Sequence, residues 1–176
     1  HDWEWAHHGR STECVRSNVA TGTFGAWEET GRYLHLALLA GAVNDEGFGQ
    51  SVGRMVAEDG VTLPKKAELE TQLQEEPGHP LSPARADLLQ AMQQHNLAEG
   101  RHEIPHQWKS SCVLGSAFTH KVPYTVHPGI GYDIISNHPM FNGAALGRAA
   151  QMDFAAFGGA VEGLDGGVVL SVGSAI

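Results

Sequence analysis

The chain has 176 residues, a formal net charge of −9 at pH 7 and 41% hydrophobic residues. This acidic composition lacks the clustered Lys and Arg of nucleic-acid or anionic-membrane binders, and no apolar run reaches the roughly 18 residues of a membrane helix. Cys14 and Cys112 form no C-x-x-C motif, and we expect reduced, buried thiols. We therefore expect a single soluble, cytoplasmic α/β domain over 1–176. Because the chain starts without Met and stops just after an apolar run, we also expect it to be part of a longer protein.

Cap residues and apolar spacing predict two helices in the first third of the chain. Thr23 is a candidate N-cap for a helix that ends at Gly41. The residues at 44–46 can begin a second helix, whose apolar face comprises Phe48, Val52, Met55 and Val56.

A polar excursion follows at about 59–108. Its Pro and Gly residues break the pattern, with one short helix expected at 65–75. Ser82-Pro83 is typical of a helix start, and that helix frays near Asn96. The residues at 99–107, with His102 and His106, are expected to form a polar loop.

The last 70 residues or so alternate between helical and strand-like patterns. A short helix is expected at 110–120, a strand at 122–127, a long helix at 144–161 and an apolar strand at 168–172. This order predicts a right-handed β-α-β crossover in a parallel sheet. Ligands bind at the carboxyl ends of such strands, so the candidate regions are 127–143 and whatever follows Gly173.

The loop from His127 to Asp133 carries the residues best suited to chemistry. Gly129 and Gly131 let the backbone approach a ligand closely, and His127 offers a base or donor near neutral pH. Asp133 offers a carboxylate for a hydroxyl, an amine or a ribose. The alternative is a tight turn in which Asp133 caps the segment that follows.

Histidines further along the chain leave other interpretations open. His138 can join His127 around a ligand, or it can be a solvated loop residue. A metal-dependent hydrolase using His127, His138 and Asp133 is one hypothesis, although the chain contains no H-E-x-x-H motif. Ser174, at a strand end, can contact a phosphate or ribose, but no G-x-S-x-G motif supports a serine hydrolase.

Several stretches of the chain resemble the deoxyhypusine synthase superfamily, and most closely its bacterial deoxyhypusine synthase-like branch. These stretches are Lys121-Val122-Pro123 through Gly131-Tyr132-Asp133, the Gly-Gly strand at 166–173, His1-Asp2-Trp3-Glu4-Trp5-Ala6 and Phe24-Gly25-Ala26-Trp27-Glu28-Glu29-Thr30-Gly31. The resemblance is weak at 59–108.

The resemblance implies a Rossmann-like NAD-binding fold in a homotetramer with sites at subunit interfaces. In the synthases, NAD accepts hydride from spermidine, and a lysine carries the aminobutyl group as an imine. Asp133 matches a ligand-binding aspartate, and Gly173 and Ser174 lie near the family's Gly-rich turn. Gly129, Gly131, Gly173 and Ser174 are thus the candidate cofactor-binding residues, and His127, Asp133 and His138 are the candidate catalytic ones.

Two departures from the family pattern limit what the resemblance implies. The synthase lysine and the family's histidine follow the Gly-rich strand, and this chain ends before both; Lys109 precedes the strand, so the role does not transfer to it. The expected function is NAD-dependent aminoalkyl transfer or oxidation of a small amine, without the synthase lysine. The alternative is a non-catalytic assembly subunit that keeps the fold.

Overall fold

The computed structural model describes residues 31–131 and 133–170, and within them the chain is mostly helical with one small sheet. Elements are numbered from the first one described. Six α-helices are α1 (Leu34–Ala42), α2 (Phe48–Ala57), α3 (Lys66–Glu75), α4 (Ser82–Gln94), α5 (Val113–His120) and α6 (Gly143–Glu162). Two strands are β1 (Gly60–Leu63) and β2 (Gly100–Glu103), and short 3-10 turns lie at Lys109–Ser111 and Ile134–Asn137.

The core surrounds α1, whose residues from His35 to Ala42 are all buried. This helix contacts α2, α4, α6 and β1, so apolar side chains are favourable on every side of it. From α4, Leu88 and Met92 complete the core with no exposed surface. The helical predictions near 44–56, 65–75, 82–96, 110–120 and 144–161 are confirmed, with ends shifted by a few residues. The beginning of the helix expected from Thr23 lies outside the described residues.

Helices α2 and α5 pack closely because glycines face the contact. A Cβ atom at Gly53 would lie 2.7 Å from the backbone oxygen of Leu114, and one at Gly115 would lie 2.9 Å from Val56 Cγ1. Because glycine has no side chain, the backbones of the two helices can approach each other closely.

Strands β1 and β2 pair antiparallel, with Gly60 opposite Glu103 and Leu63 opposite Gly100. The prediction of a polar loop over 99–107 is therefore wrong at 100–103. This strand has the sequence Gly-Arg-His-Glu and lacks alternating apolar residues, so no local pattern marks it. It forms because β1, with buried Val61 and Leu63, supplies the pairing partner.

The strand predicted at 122–127 is wrong, because its backbone donors have other partners. Val122 N donates to Ala117 O (2.9 Å) as α5 ends, and Val126 N donates to Asp153 Oδ2 (2.7 Å). Pro123 and Pro128 have no N–H to donate. Residues 122–127 therefore form an irregular segment and not a strand.

The described part of the predicted second strand, 168–170, is also irregular and exposed, so the strand prediction is wrong there. Residues 171 and 172 lie outside the described ranges. Gly166-Gly167 precedes a run whose apolar side chains pair with no strand in the described part of the chain, and strand propensity without a partner does not form a sheet. Within 31–131 and 133–170, the sheet is antiparallel and no β-α-β crossover is present.

The second half of α6 extends away from the core. Every residue from Phe154 to Leu170 is exposed, and Phe154 is 68% accessible. In the described part of the chain, no helix has both the length and the apolarity needed to span a bilayer.

Candidate functional site

His127 is exposed and held against α6 by two aromatic rings. Its ring meets Phe157 edge-on at a centroid distance of 5.6 Å and Phe154 at 6.3 Å. Its Nε2 lies 3.0 Å from the Thr125 hydroxyl oxygen. An oriented, solvent-accessible imidazole is compatible with the predicted base or donor role, which stays a prediction.

The segment that carries His127 is anchored by Asp153 of α6, a residue that sequence reasoning missed. This buried carboxylate accepts hydrogen bonds at Oδ2 from Gly49 N (2.9 Å) and Val126 N (2.7 Å). It thereby caps the N-terminus of α2, where an anion is favoured. Burial raises the pKa of Asp153, while these hydrogen bonds and, more weakly, His127 oppose the rise. The sequence signal that could have identified Asp153 is an acidic residue within the otherwise small and apolar residues of α6.

Asp133 is half-buried, and its side chain acts locally. Its Oδ1 accepts a hydrogen bond from Ile135 N (3.2 Å) and caps the 3-10 turn at Ile134–Asn137. This is the capping role that the sequence suggested as the alternative to ligand binding. Asp133 Oδ2 takes no part in the cap and could contact a ligand.

His138 is buried, in contrast to the solvated loop residue of one interpretation. Its ring lies 5.8 Å from that of His35, and its Nδ1 accepts a hydrogen bond from Met140 N (3.1 Å). Burial lowers its pKa to about 4, helped by His35, His95 and Arg32.

The described structure does not gather His127, Asp133 and His138 into a metal centre. Their contacts go to α6, to Ile135 and to α1 respectively, and the described residues contain no group of three potential metal ligands. The metal-dependent hydrolase hypothesis thus gains no support from 31–131 and 133–170.

The four candidate cofactor-binding residues divide between described and undescribed parts of the chain. Gly131 has a φ of +104° and open space where a Cβ would stand, so backbone approach to a ligand is possible there. Gly129 is half-buried in the same loop. Gly173 and Ser174 lie outside the described residues.

A cavity between α1, α2 and β1 is a better-defined site. It has a volume of about 60 Å³, with Glu46 and Ser51 buried in its wall. Asn44, Glu58 and Thr62, which also line it, are exposed, so the cavity opens to solvent on their side. This is enough space for roughly four water molecules, since one needs about 10–15 Å³, or for a small polar head group.

Glu46 dominates the electrostatics of this cavity. Its Oε2 forms an ion pair with Arg54 Nη2. Its Oε1 receives a long hydrogen bond from Gln50 (3.4 Å). Burial raises the pKa of Glu46, and Arg54 opposes the rise. The lining contains two acidic side chains, Glu46 and Glu58, and one basic side chain, Arg54, so its formal charge is negative.

The sequence contained a signal for this site. Glu46, Gln50 and Arg54 recur every four residues, and such side chains lie on one helical face. From sequence, Glu46 was interpreted only as part of a helix start. The cavity itself was not predictable, because its other walls come from α1 and β1, which are separate elements of the chain.

Comparisons of this chain with protein-family models, with curated proteins and with solved structures find no match.

Proposed function

We propose that the protein binds a small protonated amine in the Glu46 cavity. The observation that carries this proposal is a buried carboxylate in an open cavity whose lining has a net negative charge. A buried charge is unfavourable unless it is paired, and a carboxylate that contacts Arg54 and Gln50 can still accept a hydrogen bond from an ammonium donor.

The walls favour an ammonium carried on a short alkyl chain. Ala37, Ala40, Met55 and Val61 supply apolar surface, while the exposed Glu58 and Thr62 add acceptors at the opening. Binding sites for small molecules commonly combine apolar walls with a few polar groups that orient the ligand.

The proposed chemistry, by resemblance to the deoxyhypusine synthase superfamily, is NAD-dependent aminoalkyl transfer or oxidation of that amine. Gly129 and Gly131 would hold the cofactor together with Gly173 and Ser174, and open space at Gly131 supports backbone approach. When bound, NAD supplies a hydride acceptor. The Rossmann-like parallel sheet of this proposal would have to use residues outside 31–131 and 133–170. The alternative is a non-catalytic subunit that keeps amine binding without the redox step.

Three small ligands of different charge, together with NAD, test this proposal in thermal unfolding. We expect millimolar propylammonium to raise the unfolding midpoint by roughly 3 °C, because stabilisation of about 1 kcal/mol shifts a chain of this size by about 2–4 °C. Propionate and propanol at equal concentration are the controls and should have no effect. A shift with NAD would support the redox chemistry, and its absence would favour the non-catalytic alternative. Equal shifts with all three small ligands would contradict the amine site.

For the partner, we propose a second copy of this chain docked on α6. Phe154, Phe157 and Val161 follow 3-4 spacing on one face of the exposed half of the helix, which is the spacing of a helix-pairing seam. Glu162 is the one charged residue between 154 and 164, so the seam has little charge with which to select a different partner. The resemblance likewise implies a homo-oligomer, in the form of a tetramer.

Light scattering coupled to size exclusion tests this association. We expect a mass of at least twice 18.8 kDa. The double variant Phe154→Ser with Val161→Ser should shift it to the monomer mass because polar side chains weaken the apolar contact. Val113→Ser is the control, since Val113 is similarly exposed (64%) but lies on α5. A monomeric unsubstituted chain would contradict the proposal.

A further inference from the structure

Two buried histidines join α1 to the segment that follows the predicted ligand loop. His35 of α1 is 2% exposed and His138 is 7% exposed, with ring centroids 5.8 Å apart. Phe141 meets the His35 ring edge-on at 5.7 Å. The segment 133–142, hereafter the His138 segment, also places Ile135 and Met140 in the core, so these contacts connect a surface loop to the centre of the fold.

Each histidine makes a hydrogen bond that defines its protonation. His35 Nε2 lies 2.8 Å from Ile135 O, so that nitrogen carries a proton and donates it to the carbonyl. His138 Nδ1 accepts from Met140 N at 3.1 Å, so that nitrogen must be unprotonated. A proton on His138 Nδ1 would place two donors against each other and remove the bond.

The charged surroundings also disfavour protonation of His138. Three groups acting on it are cationic when protonated: Arg32 just before α1, His35 on α1 and His95 at the end of α4. Asp133 acts on His35 from the start of the 3-10 turn. Burial is the largest effect on both rings, and it lowers the pKa of His35 and brings that of His138 to about 4.

We propose that the His35–His138 pair is an acid-sensitive latch whose protonation releases the His138 segment from α1. The released segment carries Asp133 and adjoins the loop with His127, so acid would open this part of the surface while the α2–α5 contact stays formed. The inference does not depend on amine binding.

The sign of the effect follows from proton linkage. A histidine whose pKa is lower in the folded state stabilises the closed form fully above its unfolded pKa of about 6.5. That stabilisation is lost as the pH falls toward the folded pKa of about 4. Opening should therefore become about tenfold more favourable for each pH unit in this window per proton taken up.

Hydrogen exchange between pH 7 and 4.5, corrected for intrinsic rates, tests the latch. We expect protection of peptides within 133–142 to fall about tenfold per pH unit below pH 6, while α2 peptides keep theirs. His138→Asn is the informative variant, because an Asn side-chain oxygen can accept from the residue two positions on without titrating. Its protection over 133–142 should fall less steeply with acid than that of the unsubstituted chain, because only the titration of His35 remains.

Two results would overturn the latch. One is an equal acid-induced loss of protection in the unsubstituted chain and in His138→Asn. The other is loss over 133–142 and α2 together, which is global unfolding. If His138→Asn does not fold, NMR titration of the His138 ring in the unsubstituted chain decides. The latch requires the ring and the amides of 133–142 to change with one midpoint well below 6.5, whereas a ring that titrates without those amides contradicts it.

Discussion

Replacement of Asp153 by alanine is expected to destabilise the protein by about 1.5–5 kcal/mol. Loss of the α2 cap at Gly49 N costs about 0.5–2 kcal/mol. The N–H group of Val126, left without its acceptor, costs about 1–3 kcal/mol more. Urea unfolding followed by circular dichroism measures this difference.

Two further variants are compared with Asp153→Ala. Asp153→Asn keeps one acceptor oxygen and should have an intermediate effect. Asp165→Ala removes an aspartate from the exposed end of the described chain and should change the free energy of unfolding by less than about 0.5 kcal/mol. Equal stability of Asp153→Ala and the unsubstituted chain would show that Asp153 does not anchor the loop.

Gly49→Ala should be destabilising by at least about 2–3 kcal/mol. A Cβ atom at this position would lie 1.7 Å from the backbone oxygen of Tyr124, so either α2 or the segment 122–127 must move. That movement would also break the hydrogen bond from Gly49 N to Asp153.

Gly147→Ala on α6 is the matched control for this substitution. A Cβ atom there meets nothing within 4 Å, and alanine in a helix is favoured over glycine by about 1 kcal/mol. The two Gly→Ala changes should therefore shift the urea midpoint in opposite directions. A stable Gly49→Ala variant would contradict the close approach of α2 to residues 124–126.

The helices were predictable from sequence where apolar spacing and caps are local. The apolar face of α2 is such a case. Helix α4 begins near the predicted Ser82-Pro83, but its N-cap is Leu81, and the Ser82 hydroxyl donates to Glu76 O (2.7 Å) instead of capping the helix. The strands were not predictable in this way. Residues 100–103 pair because β1 is beside them, whereas 122–127 have strand propensity but donate Val126 N to a side chain from α6. Pairing depends on partners that are distant along the chain.

In the candidate site, too, features that depend on nearby residues were predictable and those that depend on distant residues were not. The Asp133 cap was anticipated as an alternative because the hydrogen bond spans only two residues. The Glu46 cavity was not anticipated, because its walls come from α1, α2 and β1. Burial of His138 likewise depends on His35, which is far away in sequence.

Calorimetric titration with propylammonium measures amine binding in the Glu46 cavity. We expect one site whose affinity falls at least tenfold in Glu46→Gln, because a neutral amide has no charge to pair with the ammonium. Affinity should persist in Glu70→Gln, a change on the exposed face of α3. Because burial raises the pKa of Glu46, affinity in the unsubstituted chain should begin to fall at a higher pH than an ordinary carboxylate would produce. Absence of binding, or equal affinity in the Glu46→Gln and Glu70→Gln variants, would contradict the account.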